Sequence, residues 1–284
     1  VLRKIKCIRD AEPTLEGAGV YIKRAFGYYQ QPSYDPFLML DDFRNDDPVK
    51  YLAGFPWHPH RGIETITYML EGSAEHGDSL GNKGTIHKGE VQWMTAGSGI
   101  IHQEMPKPDT SGRMYGFQLW TNLPASAKMD TPSYRDLSAK DMPVVHTEAG
   151  SSIRIICGEY LGTRGPLNDI VVKPQYWDIR VPADTKDLFA TNPGETCIIY
   201  AFGGSATIDS KEIADTQLVL FEDGESIEII SGNEGFSCLF LSGKPLGEPI
   251  SWRGPIVMNT REEIRTAFEE LDNGSFIKVK PILQ

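Results

Sequence analysis

The sequence predicts an all-β chain, built as two antiparallel barrel or sandwich modules in tandem with one helix near the C-terminus. Three observations carry that expectation. Short runs of β-branched, aromatic or alternating residues recur through most of the 284 residues, separated by turn signals. One stretch without a β period, Leu123 to Val144, divides these runs into two halves of similar length. A single late segment has helical spacing instead.

In the first half the strand candidates are Val20 to Phe26, Phe37 to Leu40, Ile63 to Leu70, Val91 to Thr95 and Met114 to Trp120. Gly81-Asn82-Lys83-Gly84 reads as a hairpin turn, because Gly and Asn tolerate positive φ. The dividing stretch holds Pro124, Pro132 and Pro143 among six charged residues, so it is expected to be a connector. The expected domains are therefore 1–132 and 133–284. In the second half, strands are expected at Ile153 to Cys157, Trp177 to Val181, Cys197 to Ala201, Gln217 to Phe221, Ser226 to Ile230 and Phe236 to Leu241. Gly203-Gly204 is expected to be a hairpin turn; with no helix pattern after it, it is no phosphate loop. At the tail, Thr260 and Glu263 form a capping box for a helix over about 261–272. Ile264, Ala267, Phe268 and Leu271 give it one apolar face, and Gly274 stops it.

With 40% apolar and 24% charged residues the chain can bury a core beneath a charged surface. A formal net charge of −11 repels a phosphate backbone, so no direct nucleic-acid binding is expected. The one basic cluster, Arg3, Lys4, Lys6 and Arg9, reads as a solvated strand face. Cys7, Cys157, Cys197 and Cys238 are scattered without a Cys-x-x-Cys pair, which argues against a disulfide framework and a thiolate zinc site. No run of about 18 apolar residues is present to cross a membrane, and the start carries no signal pattern. The expected location is cytoplasmic, or nuclear in a eukaryote. Asn273-Gly274-Ser275 is then a chance match to a glycosylation acceptor.

The histidines are the most informative residues. Five of six lie from His58 to His102, and none follows His146. In Phe55-Pro-Trp-His-Pro-His60, residues two apart on an extended strand face the same side, so His58 and His60 aim at one point. Pro59 drives His58 out of the helical region and, lacking a ladder donor, places the segment at an edge or bulge. His102 and Glu104 repeat the spacing on a second segment. Brought together, these give three neutral imidazoles and one carboxylate, and with a divalent metal a net charge of +1. Such a donor set suits Fe(II), Mn(II), Co(II), Ni(II), Cu(II) or Zn(II), and for a six-coordinate ion leaves two positions open. His76, His87 and His146 lack such partners and read as surface or satisfied core.

These same blocks resemble the pirin family. They are Asp35-Pro-Phe-Leu-Met-Leu-Asp-Asp-Phe43, Gly54-Phe-Pro-Trp-His-Pro-His-Arg-Gly-Ile-Glu-Thr65, Tyr68-Met-Leu-Glu-Gly72, Gln92-Trp-Met-Thr-Ala-Gly97, Ile101-His-Gln-Glu-Met-Pro106 and Gln118-Leu-Trp-Thr-Asn-Leu123, with Gly254-Pro-Ile-Val-Met-Asn-Thr-Arg-Glu-Glu-Ile264 at the far end. The resemblance implies a bicupin, two antiparallel β-barrel (jelly-roll) domains with the C-terminal helix packing back across the molecule. It implies one iron in the N-terminal barrel, held by His58, His60, His102 and Glu104, and no metal in the C-terminal barrel. Glu64 stands at the spacing that other cupins use for their carboxylate, so it is the alternative to Glu104, or else a neighbour paired with Arg61.

Two activities follow from the resemblance. One is opening of quercetin, or a similar enolic phenol, by O₂. Glu104 would take the hydroxyl proton, Arg61 would stabilise the developing anion, and carbon monoxide and a depside would leave. Phe55, Trp57 and Met94 are the candidate pocket wall. The other is a non-enzymatic transcription cofactor or redox sensor acting through a protein partner. A monomer is expected.

Overall fold

The computed structural model describes residues 1–167 and 169–279. It is mostly strand with one α-helix, in two cupin-type domains. The contacts do not divide the chain at 132/133. One compact unit joins residues 13–139 to 246–284, and the other joins 1–12 to 140–245. The C-terminal helix thus belongs with the first half of the sequence, which corrects its expected placement in the second domain.

The first unit has two main antiparallel sheets and a short two-stranded one. The larger runs Ser133–Leu137, Val91–Thr95, Ile63–Glu71, Tyr115–Asn122, Phe37–Asp42, Val20–Phe26 and Glu12–Glu16 in spatial order. Ser133–Leu137 lies inside the expected connector and pairs with Val91–Thr95, so that stretch is not wholly irregular. The smaller sheet runs Phe55–His60, Ile100–Lys107, Ser73–Asp78 and Lys83–Ile86. Its edge strand is the one carrying Pro56 and Pro59, where a missing N–H costs no ladder bond. The expected hairpin around Gly81 joins its last two strands.

The tail completes this unit. Short strands Ser251–Arg253 and Ile256–Met258 pair, and helix Arg261–Asp272 follows. Thr260 Oγ1 accepts from the Glu263 N–H, and the Glu263 carboxylate accepts from the Thr260 N–H, the reciprocal cap expected. Ile264 and Ala267 bury the apolar face against Ile256, Met258 and Phe276. Gly62 lets the tail approach: its φ is +77°, and a Cβ there would lie 2.0 Å from the Val257 carbonyl oxygen. Buried Lys128 ties the same place, donating to the Gly62 and Val257 carbonyls and to Asn122 Oδ1 at 2.9, 3.1 and 2.7 Å.

The second unit is a nine-stranded sheet whose long strands Thr196–Ile208 and Ser226–Gly243 each pair with several neighbours. The latter fuses two expected strands. Gly203-Gly204 is no hairpin turn: it is a bulge within Thr196–Ile208, where Gly204 has φ +68° and a Cβ would meet the Gly235 carbonyl. Strand Ile5–Asp10 pairs with Gln217–Phe221. Just before it, Arg3 is buried and donates to Thr191 Oγ1 and to the carbonyls of Asn192 and Glu222, so this one cation of the basic cluster leaves the solvated face.

Candidate metal centre

Strands Phe55–His60 and Ile100–Lys107 run antiparallel with His102 directly opposite His58 and Ile100 opposite His60. Directly opposed residues point to the same side, so the register alone gathers the three rings. One ring nitrogen from each of His58, His60 and His102 lies within 4.8 Å of the others. The ring centroids are 4.4–5.0 Å apart.

Outer hydrogen bonds fix how two of the rings face. His58 Nδ1 lies 2.9 Å from the Pro56 carbonyl oxygen, and His60 Nδ1 lies 3.1 Å from that of Pro255. Each Nδ1 therefore carries the proton and leaves Nε2 as a lone pair. The two Nε2 atoms stand 3.0 Å apart, a separation that two lone pairs tolerate only with a cation or proton between them. Two nitrogens each about 2.1 Å from one ion at a right angle are about 3.0 Å apart. Both His102 nitrogens are buried without a hydrogen-bond partner. Burial, reinforced by the neighbouring imidazoles, holds His60 and His102 well below the usual histidine pKa, so both are neutral donors. The donor set fits a divalent metal on all these counts.

Glu104 is placed differently from the imidazoles. A register shift between His102 and Glu104 sets it opposite Phe55. Its Oε1 accepts from Thr67 Oγ1 at 2.8 Å, and its carboxylate falls outside the close nitrogen group. Glu64 does not share the strand of His58 and His60, because the Gly62 turn intervenes and puts it on Ile63–Glu71. There it accepts from Thr95 and Thr121, and burial keeps it above the usual carboxylate range.

Arg61 faces away from the imidazoles. Only 2% exposed, it pairs with Glu270 at 2.7 Å, donates to the Ser98 and Phe276 carbonyls, and lies over the Phe276 ring. Glu270 takes the place expected for Glu64 as its partner, and Arg61 is not among the residues lining the cavity beside His58 and His60. His76, read as surface or satisfied core, is buried opposite Glu104 on the neighbouring strand, with Nδ1 unpartnered and its ring stacked on Tyr134.

His58 and His60 open on a cavity of about 800 Å³. Phe55 lines it together with His58, His60, Glu104, Thr67 and Gln118. Met94 instead packs in the core with Leu38, Ile63 and Ile100, and Trp57 is 54% exposed outside the cavity, so neither forms its wall. Sequence reasoning did not find the aromatic side of the cavity, Tyr28, Trp120 and Trp252. These rings form a chain of edge and tilted contacts that starts on His60.

Among the described residues, no helix is long and apolar enough to cross a membrane. Residues 19–121 match the Pirin family model, and residues 176–277 match the Pirin C-terminal cupin domain. A pirin-like protein of Caulobacter vibrioides is 40% identical over 276 residues, covering 97% of this chain and 99% of the relative. The crystal structure of a quercetin 2,3-dioxygenase from Acinetobacter baumannii superposes with a TM-score of 0.90 at 31% identity, over 97% of this chain and 99% of that one. A bacterial pirin from Escherichia coli, crystallised with nickel(II), shares the fold at a TM-score of 0.64 and 22% identity, over 84% of this chain and 98% of that one. With two pirin models matched in order and such identity along nearly the whole length, the chain belongs to the pirin family.

Proposed function

We propose that this protein is a metal-dependent dioxygenase that opens quercetin or a related enolic phenol with O₂. The observation that carries the reading is the triad of imidazole nitrogens, gathered at one point beside an 800 Å³ cavity and a buried carboxylate. His58, His60 and His102 hold the metal, iron first among Fe, Ni, Co, Mn, Cu and Zn. When bound, the metal supplies Lewis acidity toward the substrate oxygen and electron exchange with O₂.

The protein's own groups do the rest. Pro56 and Pro255 carbonyls lock two ring tautomers, so that no reorientation is needed when the ligand arrives. Glu104 receives the proton of the enolic hydroxyl, and the Thr67 hydroxyl keeps its carboxylate in place. Trp120, Trp252 and Phe55 present apolar surface to flat rings and exclude water around the oxygen that loses its proton. The small aromatic substrate and O₂ are then the only partners the chemistry requires.

The test is oxygen uptake and carbon monoxide release with quercetin, using protein loaded in turn with each metal. Turnover with at least one metal, abolished in His58→Ala, supports the reading. No turnover with any of the six overturns it.

A further inference from the structure

The cavity wall carries a line of polar side chains that metal binding does not use. Arg24 lies opposite Asp41, Asp41 opposite Gln118, and Gln118 opposite Thr67, each pair in direct antiparallel register. Opposed residues share a face, so the four form one rung across four adjacent strands. At about 4.8 Å per strand the rung is about 14 Å long. All four line the cavity, and Thr67, the last of them, joins the rung to Glu104. On the next rung Met39 lies opposite Trp120, and both line the cavity.

Polar groups in such a wall cost free energy unless they have partners, and the accounting here leaves acceptors over. Arg24 is consumed: Nε and Nη2 donate to Asp41 at 2.8 and 2.7 Å, and Nη1 pairs with Glu16 at 2.8 Å. One cation against two carboxylates leaves this end with a net negative charge. Thr67 Oγ1 lies 2.8 Å from Glu104 Oε1 and 2.7 Å from the amide atom placed as Gln118 Oε1, yet it has a single proton to give to these two acceptors. The carboxylate takes that proton as the stronger acceptor. The amide must then turn its NH₂ to Thr67, which leaves the Gln118 carbonyl oxygen free as an acceptor.

Building on the proposed reading, we infer that the Arg24–Asp41–Gln118 rung, with Glu16, is the subsite for hydroxyl groups on the ring remote from the metal. It selects uncharged polyhydroxylated aromatics and rejects those with an anionic substituent there. Glu16 and Gln118 are specificity residues, and neither takes part in proton transfer.

The test compares galangin, kaempferol and quercetin, flavonols with zero, one and two hydroxyls on the remote ring, together with quercetin 3′-sulfate. Dissociation constants are measured anaerobically with the metal-loaded protein by quenching of tryptophan emission. Expected is about tenfold tighter binding of quercetin than of galangin, with the sulfate weaker than galangin. In Gln118→Leu and Glu16→Gln the quercetin-to-galangin ratio falls below about threefold while galangin binds as before. Equal binding of all three flavonols, or variants that weaken all of them alike, overturns the subsite and leaves the dioxygenase reading standing. Failure of every flavonol to bind overturns both.

Discussion

The two units share a strand-built architecture but fill their interiors in opposite ways. In the unit of residues 13–139 and 246–284, His58, His60, Glu104, Thr67 and Asp41 line a cavity of about 800 Å³, with His102 buried beside the first two. In the unit of 1–12 and 140–245, Trp177, Phe240, Ile199, Ile229 and Phe236 belong to one continuous apolar cluster, and the cavity there is about 370 Å³. The fold tolerates either filling. Chemistry resides where inward positions accept the cost of buried polar atoms, and stability where they do not.

The largest expected effect comes from emptying the polar interior of its donors. His58→Ala, His60→Ala or His102→Ala is expected to drop bound metal from one per chain to below about 0.1 by elemental analysis, with activity down at least about 100-fold. Glu104→Gln separates the roles within the site. It is expected to retain metal while losing about 100- to 10,000-fold in turnover, as removal of a general base does; loss of metal in this variant would make Glu104 a ligand instead.

The reciprocal change in the other unit is expected to act on stability alone. Phe240 is 1% exposed and stacks on Trp177 at 4.4 Å. Phe240→Ala is expected to cost about 3–5 kcal/mol in denaturant unfolding without changing the metal content of the folded protein. A smaller effect of opposite sign is expected from His102→Leu. Removing two unpartnered buried nitrogens should stabilise the metal-free protein by about 1–3 kcal/mol.

The smallest effect is in pH dependence. His60 and His102 have folded pKa values below the ordinary histidine value of about 6.5. Their contribution is therefore present above that value and lost as pH falls, because the unfolded chain takes up protons first. Asp41, pushed up to about 6 by burial, opposes this at lower pH. The expected outcome is a lower Tm for the metal-free protein at pH 6.0 than at 7.5, with a shallower slope in His102→Leu.

Much of the imidazole site was legible because its geometry is local. His-x-His and His-x-Glu on extended segments dictate facing, and Pro59 marks an edge strand, as found. The capping box of Thr260 and Glu263 was legible for the same reason. Glu64 was misread because a single turn at Gly62 changes its strand, and Arg61 because its partners, Glu270 and Phe276, lie over 200 residues away. The polar rung escaped notice since Arg24, Asp41, Gln118 and Thr67 meet only through strand register, which no window of the sequence contains. The composite units were hidden likewise: a short strand at one end and a helix at the other give no local sign of which sheet they join.

The Pro255 carbonyl that orients His60 has a consequence for biosynthesis. The two residues are 195 positions apart, so at about 5–20 residues per second the ribosome delivers the buttress roughly 10–40 s after the ring it steadies. Until it arrives His60 lacks the carbonyl that holds its Nδ1 proton, so the orientation of the imidazole set is completed only after residue 255 has been made.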